Sequence, residues 1–327
     1  MKSIPFESNS DYFDFDTDII IQLIDTQKRI KEIPVPTFYG DEVSRVNGIK
    51  YAARIIGSCI LSKLNKLAIY YHPKFDYEPL SNYRYQPKFG YLSSQQFALD
   101  QVKPASTVVD IGCGPGFMAV KLALKNVKIT SIDQQIQPDA RKNSWKCIEA
   151  DIEQYDFGDD FGKPDYILAL DIIEHLKSPE RLLRVLRQRF SREAPDFIIT
   201  TGNVAFFPLR IGLLLNSFNY GRRGILDMGH TRLFTFSSLR RTLEINGYEI
   251  VSKRGVPAPF PLVLGDGRLA RLLLLINRFL IFFSKSLFSY QIAITAKPLP
   301  TLEHLLEDAY EAKKQRLKTD ALDKDQT

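Results

Sequence analysis

The chain has 327 residues, with 44 Lys+Arg against 38 Asp+Glu, a formal net charge of +6, 44% hydrophobic and 25% charged residues. That balance belongs to a globular protein and excludes collagen-like and wholly disordered chains. The basic excess is too diffuse for a nucleic-acid binder, so no nucleic-acid partner is expected; it suits an acidic substrate or an anionic membrane surface. Three scattered cysteines, Cys59, Cys113 and Cys147, form neither an even disulfide set nor a CxxC metal pair. A reducing, cytoplasmic compartment and no metal site follow as expectations. The N-terminus MKSIPFESNSDYFDFD is acidic and lacks an apolar core, unlike a secretory signal.

In chain order, Asp18 to Lys31 repeats apolar residues at helical spacing, and the prolines of EIPVPTFYG break it. A second helical pattern runs from Val43 to about Tyr71, followed by an aromatic, turn-rich stretch and the helical QQFALDQV. From Ser106 onward, short β-rich runs alternate with helical ones, which predicts a parallel sheet with crossover helices. The strands are STVVDIG, VKITSID, KCIEADI, PDYILALD and PDFIITT, with GYEIVSKRG and SYQIAITAK as a closing antiparallel pair. GFMAVKLALK, a short one around the polar RKNSW, SPERLLRVLRQRF and FSSLRRTLEING are the helices; the last has a serine cap at its start and Gly247 past its end. Residues 301–327 read as a charged helix and a polar tail, KTDALDKDQT, that should fray.

The chemistry concentrates in Asp110-Ile111-Gly112-Cys113-Gly114-Pro115-Gly116, where an apolar strand runs through an acid into a Gly-x-Gly-x-Gly turn. Glycines allow the tight turn and a close backbone approach to a ligand. The spacing is not the GxGxxG of dinucleotide sites, and a carboxylate at the strand end would repel a diphosphate. It suits a cationic amine, hence an amino-acid-bearing nucleoside such as S-adenosylmethionine. Cys113 fits as a small apolar filler of the turn.

With the later strand ends, this motif resembles the class I S-adenosylmethionine-dependent methyltransferases over roughly residues 83–298. The resemblance implies an α/β fold, a Rossmann-like seven-stranded class I methyltransferase sheet, here with an N-terminal helical extension. It implies a donor site of Asp110, Gly112, Cys113, Gly114 and Gly116, with Asp133 on the ribose hydroxyls and Asp151 and Ile152 beside the adenine. Asp171 of LDIIEHLKSPERLLR closes the set, with S-adenosylhomocysteine as product. A carboxylate such as Asp133 can accept both hydroxyls of a ribose. Domain limits follow: 1–82 as the extension, 83–300 as the methyltransferase domain with an acceptor-side insertion at about 203–236, and 301–327 as the C-terminal helix and tail.

Within the insertion, His230 of GHTRLFT has the chemistry of a general base, and equally of a loop anchor. Arg222, Arg223 and Arg232 suit a phosphate or carboxylate, and equally a solvated surface. Leu269 to Phe288 is apolar nearly all round with basic interruptions; it reads as a helix packed on the domain or used in self-association, ahead of one lying peripherally on an anionic bilayer, and not as a span.

Residues 1–56, through FDFDTDIIIQ and EIPVPTFYGDE, resemble the C-terminal end of family 2 glycosyltransferases of the polyprenyl-phosphate type. That family's sugar-nucleotide half is not in this sequence. The resemblance implies glycan assembly and a sugar or lipid-linked glycan acceptor, with the segment itself either a leftover helical appendage or a dock for a partner glycosyltransferase. A small quinone-type acceptor, and a non-catalytic module docking a glycosyltransferase, remain as alternatives.

Overall fold

A computed structural model describes residues 4–36, 40, 46–66, 70–77, 86–158 and 161–324, with side chains to residue 314. The start expected for the second helix at Val43, the domain limit near residue 82 and much of TFYGDE lie outside the described residues. The chain divides into two compact units. One holds residues 1–86, 205–229 and 258–279; the other holds 87–204, 230–257 and 280–327.

The second unit is built on a seven-stranded sheet: β1 (Thr107–Ile111), β2 (Lys128–Asp133), β3 (Lys146–Glu149), β4 (Tyr166–Leu170), β5 (Asp196–Gly202), β6 (Tyr248–Val256) and β7 (Gln291–Pro298). The order is β3-β2-β1-β4-β5-β7-β6. Strands one to five are parallel, and β7 runs antiparallel between β5 and β6. This is the Rossmann-like class I methyltransferase order, with the closing antiparallel pair where the sequence puts it.

Residues that alternate along the strands serve two apolar layers, as a sheet covered on both faces requires. Val109, Ile167, Ile199 and Ile294 join one layer with Leu183, Leu186 and Phe190 of α6 (Pro179–Phe190) and Leu239 and Leu243 of α8 (Phe236–Ile245). Val108, Leu168, Ile198 and Ala293 join the other with α3 (Ser94–Gln101) and α4 (Phe117–Ala123). Ser93 caps α3 by accepting the Gln96 N–H at 3.0 Å.

The helix α8 is capped differently from expectation. Thr235, not a serine, accepts the Ser238 N–H, and Ser238 in turn accepts the Thr235 N–H, a reciprocal capping box. Strand β3 stops at Glu149 because Asp151 folds the chain into a turn. The helix expected over 269–288 is two, α10 (Arg268–Phe283) and α11 (Lys285–Phe288), parted at Ser284, whose backbone is extended. The expected polar tail is instead helical to Lys324 in α12 (Leu302–Lys324); its Glu311–Lys314 pair is of the kind that supports an exposed helix.

In the first unit, α1 (Phe15–Asp25) ends six residues before the expected Lys31. The Thr26 hydroxyl turns back to the Gln22 and Leu23 carbonyls, and Gln27 takes a left-handed φ of 55°. Helix α2 (Gly48–Lys66) begins where Asn47 accepts the Lys50 N–H at 3.1 Å. Asp18, on α1, is fully buried and receives Lys74 Nζ at 2.8 Å and the Ser58 hydroxyl at 2.8 Å. The unit also includes α7 (Phe207–Leu214), α9 (Phe260–Leu264) and the first twelve residues of α10.

Candidate active site

Three strand ends converge on the glycine turn. After β1, Gly112, Gly114 and Gly116 all adopt positive φ, 74°, 52° and 85°. A Cβ on Gly116 would lie 2.3 Å from the Ala140 amide nitrogen of α5 (Pro138–Asn143), and one on Gly112 would lie 2.7 Å from Ile172. Glycine is therefore required at both positions by conformation and by space. At Gly114 nothing lies within 4 Å of such a Cβ, so the middle of the turn faces open space.

Asp133 ties the turn to its neighbours. Its Oδ2 accepts the Gly114 N–H at 2.8 Å, and its carbonyl accepts the Ala150 N–H at 2.9 Å. The adjoining Gly112 and Cys113 N–H groups donate to the Ile132 carbonyl. Asp133 remains half-exposed. Cys113 is buried with Ile136 and Ala140 as an apolar filler, and burial pushes its thiol far above the ordinary range.

Asp110 is buried, and its Oδ2 has no hydrogen-bond partner among the described residues. Burial, and secondarily the charge of Asp133, pushes its carboxyl up to about 7. A buried acid without a donor is costly unless something supplies a positive charge or a proton. This pair of carboxylates beside an open glycine turn fits a cationic ligand and disfavours a phosphate.

The other expected site residues are placed as follows. Asp151 accepts the Glu153 N–H at 3.0 Å and the Gln154 amide at 3.2 Å, which makes it the hinge of the turn after β3. Ile152 is buried in the apolar layer. Asp171, at a left-handed φ of 53° after β4, accepts Thr200 Oγ1 at 2.7 Å, Gln291 Nε2 at 2.8 Å, Ser94 Oγ at 3.1 Å and Lys88 Nζ at 3.5 Å. Burial opposes its ionisation, but Lys88 and these donors outweigh burial and hold it below its ordinary range. Asp171 thus binds β4, β5, β7 and α3 together through its own side chain. Its four partners come from far apart in the chain, and no motif announces them.

Glu174 follows on a short 3-10 turn. Its carbonyl accepts the Thr231 and Arg232 N–H groups at 2.9 and 3.0 Å, which anchors the loop carrying His230. Burial, then the charge of Asp171, pushes its carboxyl up to about 8. The rings of His175 and His230 meet edge-to-face with centroids 4.6 Å apart. Arg232 pairs with Glu180 at 2.5 Å, while Arg222 pairs with Asp76 at 2.7 Å and Arg223 donates to the Lys66 carbonyl at 2.9 Å. Each of these three arginines is engaged by the protein itself.

Residues 84–253, just over half of the chain, match the family model of the methyltransferase domain. The chain belongs to the methyltransferase domain family. Over 109 residues this methyltransferase-domain protein is 28% identical to the (S)-coclaurine N-methyltransferase of Thalictrum flavum subsp. glaucum, covering 30% of the chain and 29% of that relative. The match therefore spans under a third of the relative's length. Among solved structures, it is similar to a putative S-adenosylmethionine dependent methyltransferase from Listeria monocytogenes (16% identity, 63% of this chain, 96% of the other, TM-score 0.43). It is also similar to the Burkholderia thailandensis 1,6-didemethyltoxoflavin-N1-methyltransferase (14% identity, 79% and 93% covered, TM-score 0.42).

Proposed function

We propose that this methyltransferase-domain protein transfers a methyl group from S-adenosylmethionine to a hydroxyl of a sugar or lipid-linked glycan, leaving S-adenosylhomocysteine. The observation that carries the donor is the buried Asp110 carboxyl, whose Oδ2 has no hydrogen-bond partner among the described residues, near Asp133 and the open side of Gly114. S-adenosylmethionine supplies a methyl group already activated on a sulfonium. Asp110 would hold the ammonium of its methionine part, and the glycine turn would lie along it. Asp133 would accept the ribose hydroxyls while keeping the Gly114 N–H, since a carboxylate has about four lone-pair sites. Asp151 and Ile152 would border the adenine. Asp171, with its oxygens already held by four protein donors, would keep the strand ends in register beneath the site.

Much of such a rate comes from holding the acceptor in line, so a base is a helper rather than a necessity. His230, fixed by the Glu174 carbonyl through Thr231 and paired edge-on with His175, is the group we assign to taking the acceptor's proton. The glycan acceptor and a glycosyltransferase partner are supported by the glycosyltransferase-like residues 1–56, and a cytoplasmic site of action by the scattered, unpaired cysteines. A second reading, N-methylation of a small amine, is favoured by the likeness to a coclaurine N-methyltransferase.

Calorimetry with S-adenosylmethionine tests the donor site: Asp133→Ala should weaken affinity by about 1–3 kcal/mol, the range for losing a charge-assisted partner. A folded variant that binds as tightly as the parent removes Asp133 from the site. For the acceptor, label should pass from methyl-labelled donor to lipid-linked oligosaccharide and not to an amine panel; the reverse pattern selects the second reading. Run from about pH 5.5 to 8, the same assay should show a rise attributable to a histidine base, and a flat profile reduces His230 to a loop anchor.

A further inference from the structure

Helix α10 is apolar on both of its sides. The side it turns inward carries Ala270, Asn277 and Ile281, all buried, with Leu273, Leu274 and Leu280 half-buried, and the Asn277 side-chain oxygen accepts the Ala258 N–H at 3.0 Å. The side it shows to solvent carries Leu269, Leu272, Leu275, Ile276 and Phe279, each between 47 and 63% exposed. An apolar stripe of this length left in water marks a surface made to be covered.

Charge indicates what covers it. About one residue in nine of the whole chain is acidic, yet residues 267–288 contain no Asp or Glu and four basic residues, Arg268, Arg271, Arg278 and Lys285. The nearest acid, Asp266, pairs with Arg271 at 2.9 Å. The same unit holds a second acid-free segment, residues 205–226, with Arg210, Arg222 and Arg223 and with Leu213, Leu214 and Leu215 of α7 and its end exposed. A second copy packed face to face would set the α10 stripe against itself, Arg268 and Arg278 facing like charges with no Asp or Glu within residues 267–288 to answer. No described helix is long and apolar enough to cross a membrane.

We infer that the exposed face of α10 lies in the surface of an anionic lipid bilayer, its leucines and Phe279 among the acyl chains and its arginines at the headgroups. The inference stands apart from the methyl-transfer reading, because it uses no residue of the candidate active site.

Flotation of the purified full chain with vesicles tests it. The protein should rise with phosphatidylcholine vesicles containing phosphatidylglycerol, stay largely behind with phosphatidylcholine alone, and be released by raised salt. Leu275→Glu combined with Phe279→Glu should lower the bound fraction by about tenfold or more. Circular dichroism melting and donor affinity should stay at parental values, since both residues are exposed. Should that variant lose fold, Arg268→Glu with Arg278→Glu should weaken binding to the anionic vesicles alone. Wild-type protein left in solution by both vesicle types overturns the inference, as does equal binding to both types or undiminished binding by the variants. A dimer in light scattering that Leu275→Glu with Phe279→Glu dissolves, without vesicle binding, would overturn it in favour of a second copy.

Discussion

The sheet unit and the helical unit hold themselves together with opposite chemistry. In the first, neighbouring residues of each central strand point to opposite faces, and Val108 and Val109 or Ile198 and Ile199 fill two separate apolar layers. In the second, α1 turns Asp18 and Gln22 inward, with Asp14 buried just before its start, and leaves Ile20 and Ile24 in solvent. Its apolar cluster is small, with Ile4, Phe75 and Tyr77 buried at its centre. Around it run the Lys74–Asp18–Ser58 contacts, the Asp25 carboxylate receiving Lys66 and the Ser62 hydroxyl, and the Asp14–Arg54 pair. A strand covered on both faces must be apolar on both. A helix with a small core can be fastened by paired charges while only part of its apolar side, here Ile21 and Leu23, packs against that core.

The largest expected effect separates the two strategies. Lys74→Met leaves Asp18 buried without its cation and should cost about 3–5 kcal/mol in urea unfolding, whereas Lys74→Met with Asp18→Leu should return close to the parent, because a buried pair replaced by apolar groups is often neutral. If the single variant unfolds like the parent, the polar fastening of the helical unit is wrong. In the sheet unit, Leu168→Ala, between two packed strands, should cost about 2–5 kcal/mol with no polar rescue available. A cost below about 1 kcal/mol would mean that the layer is looser than its burial indicates.

Asp110 gives the smallest effect and the finest test. Its folded pKa, about 7, stands above the ordinary 3.8, so the native state holds this proton longer than the unfolded chain does. The sign follows directly: the stability contributed is full below about pH 4 and is lost as pH rises through 7. Glu174, pushed up to about 8, acts in the same direction. A cationic donor favours the ionised acid, so its affinity should rise with pH by up to about tenfold per unit and level off above 7. Asp110→Asn should flatten that rise in calorimetry; an unchanged slope would place the titrating group elsewhere.

The fold of the sheet unit was legible because local rules and global topology agree there. Alternating apolar strands, helical spacing between them and the glycine turn all point to one architecture. Gly112 and Gly116 were legible for the same reason, since at each a Cβ would both strain the backbone and collide with a neighbour. The partners of Asp171 were not: Ser94, Thr200, Gln291 and Lys88 come together only once four elements pack. The cap at Thr235, two residues before the first serine of the helix, Ser237, was missed because threonine and serine carry the same hydroxyl. The early end of α1 at Thr26 depends on a side chain turning back to carbonyls, which helical periodicity does not register.

By itself, then, the order of residues determined the strands, their crossover helices and the turn with its acids, because these follow from spacing, backbone freedom and the burial of alternate side chains. Tertiary structure decided which charges are satisfied and which are not. Asp171 accepts four donors while Asp110 Oδ2 has no hydrogen-bond partner among the described residues, and α10 buries Ala270, Asn277 and Ile281 while Leu269, Leu272 and Leu275 face out. Satisfaction of a buried group and exposure of a face are properties of neighbours in space, and neighbours in space are what a linear pattern leaves open.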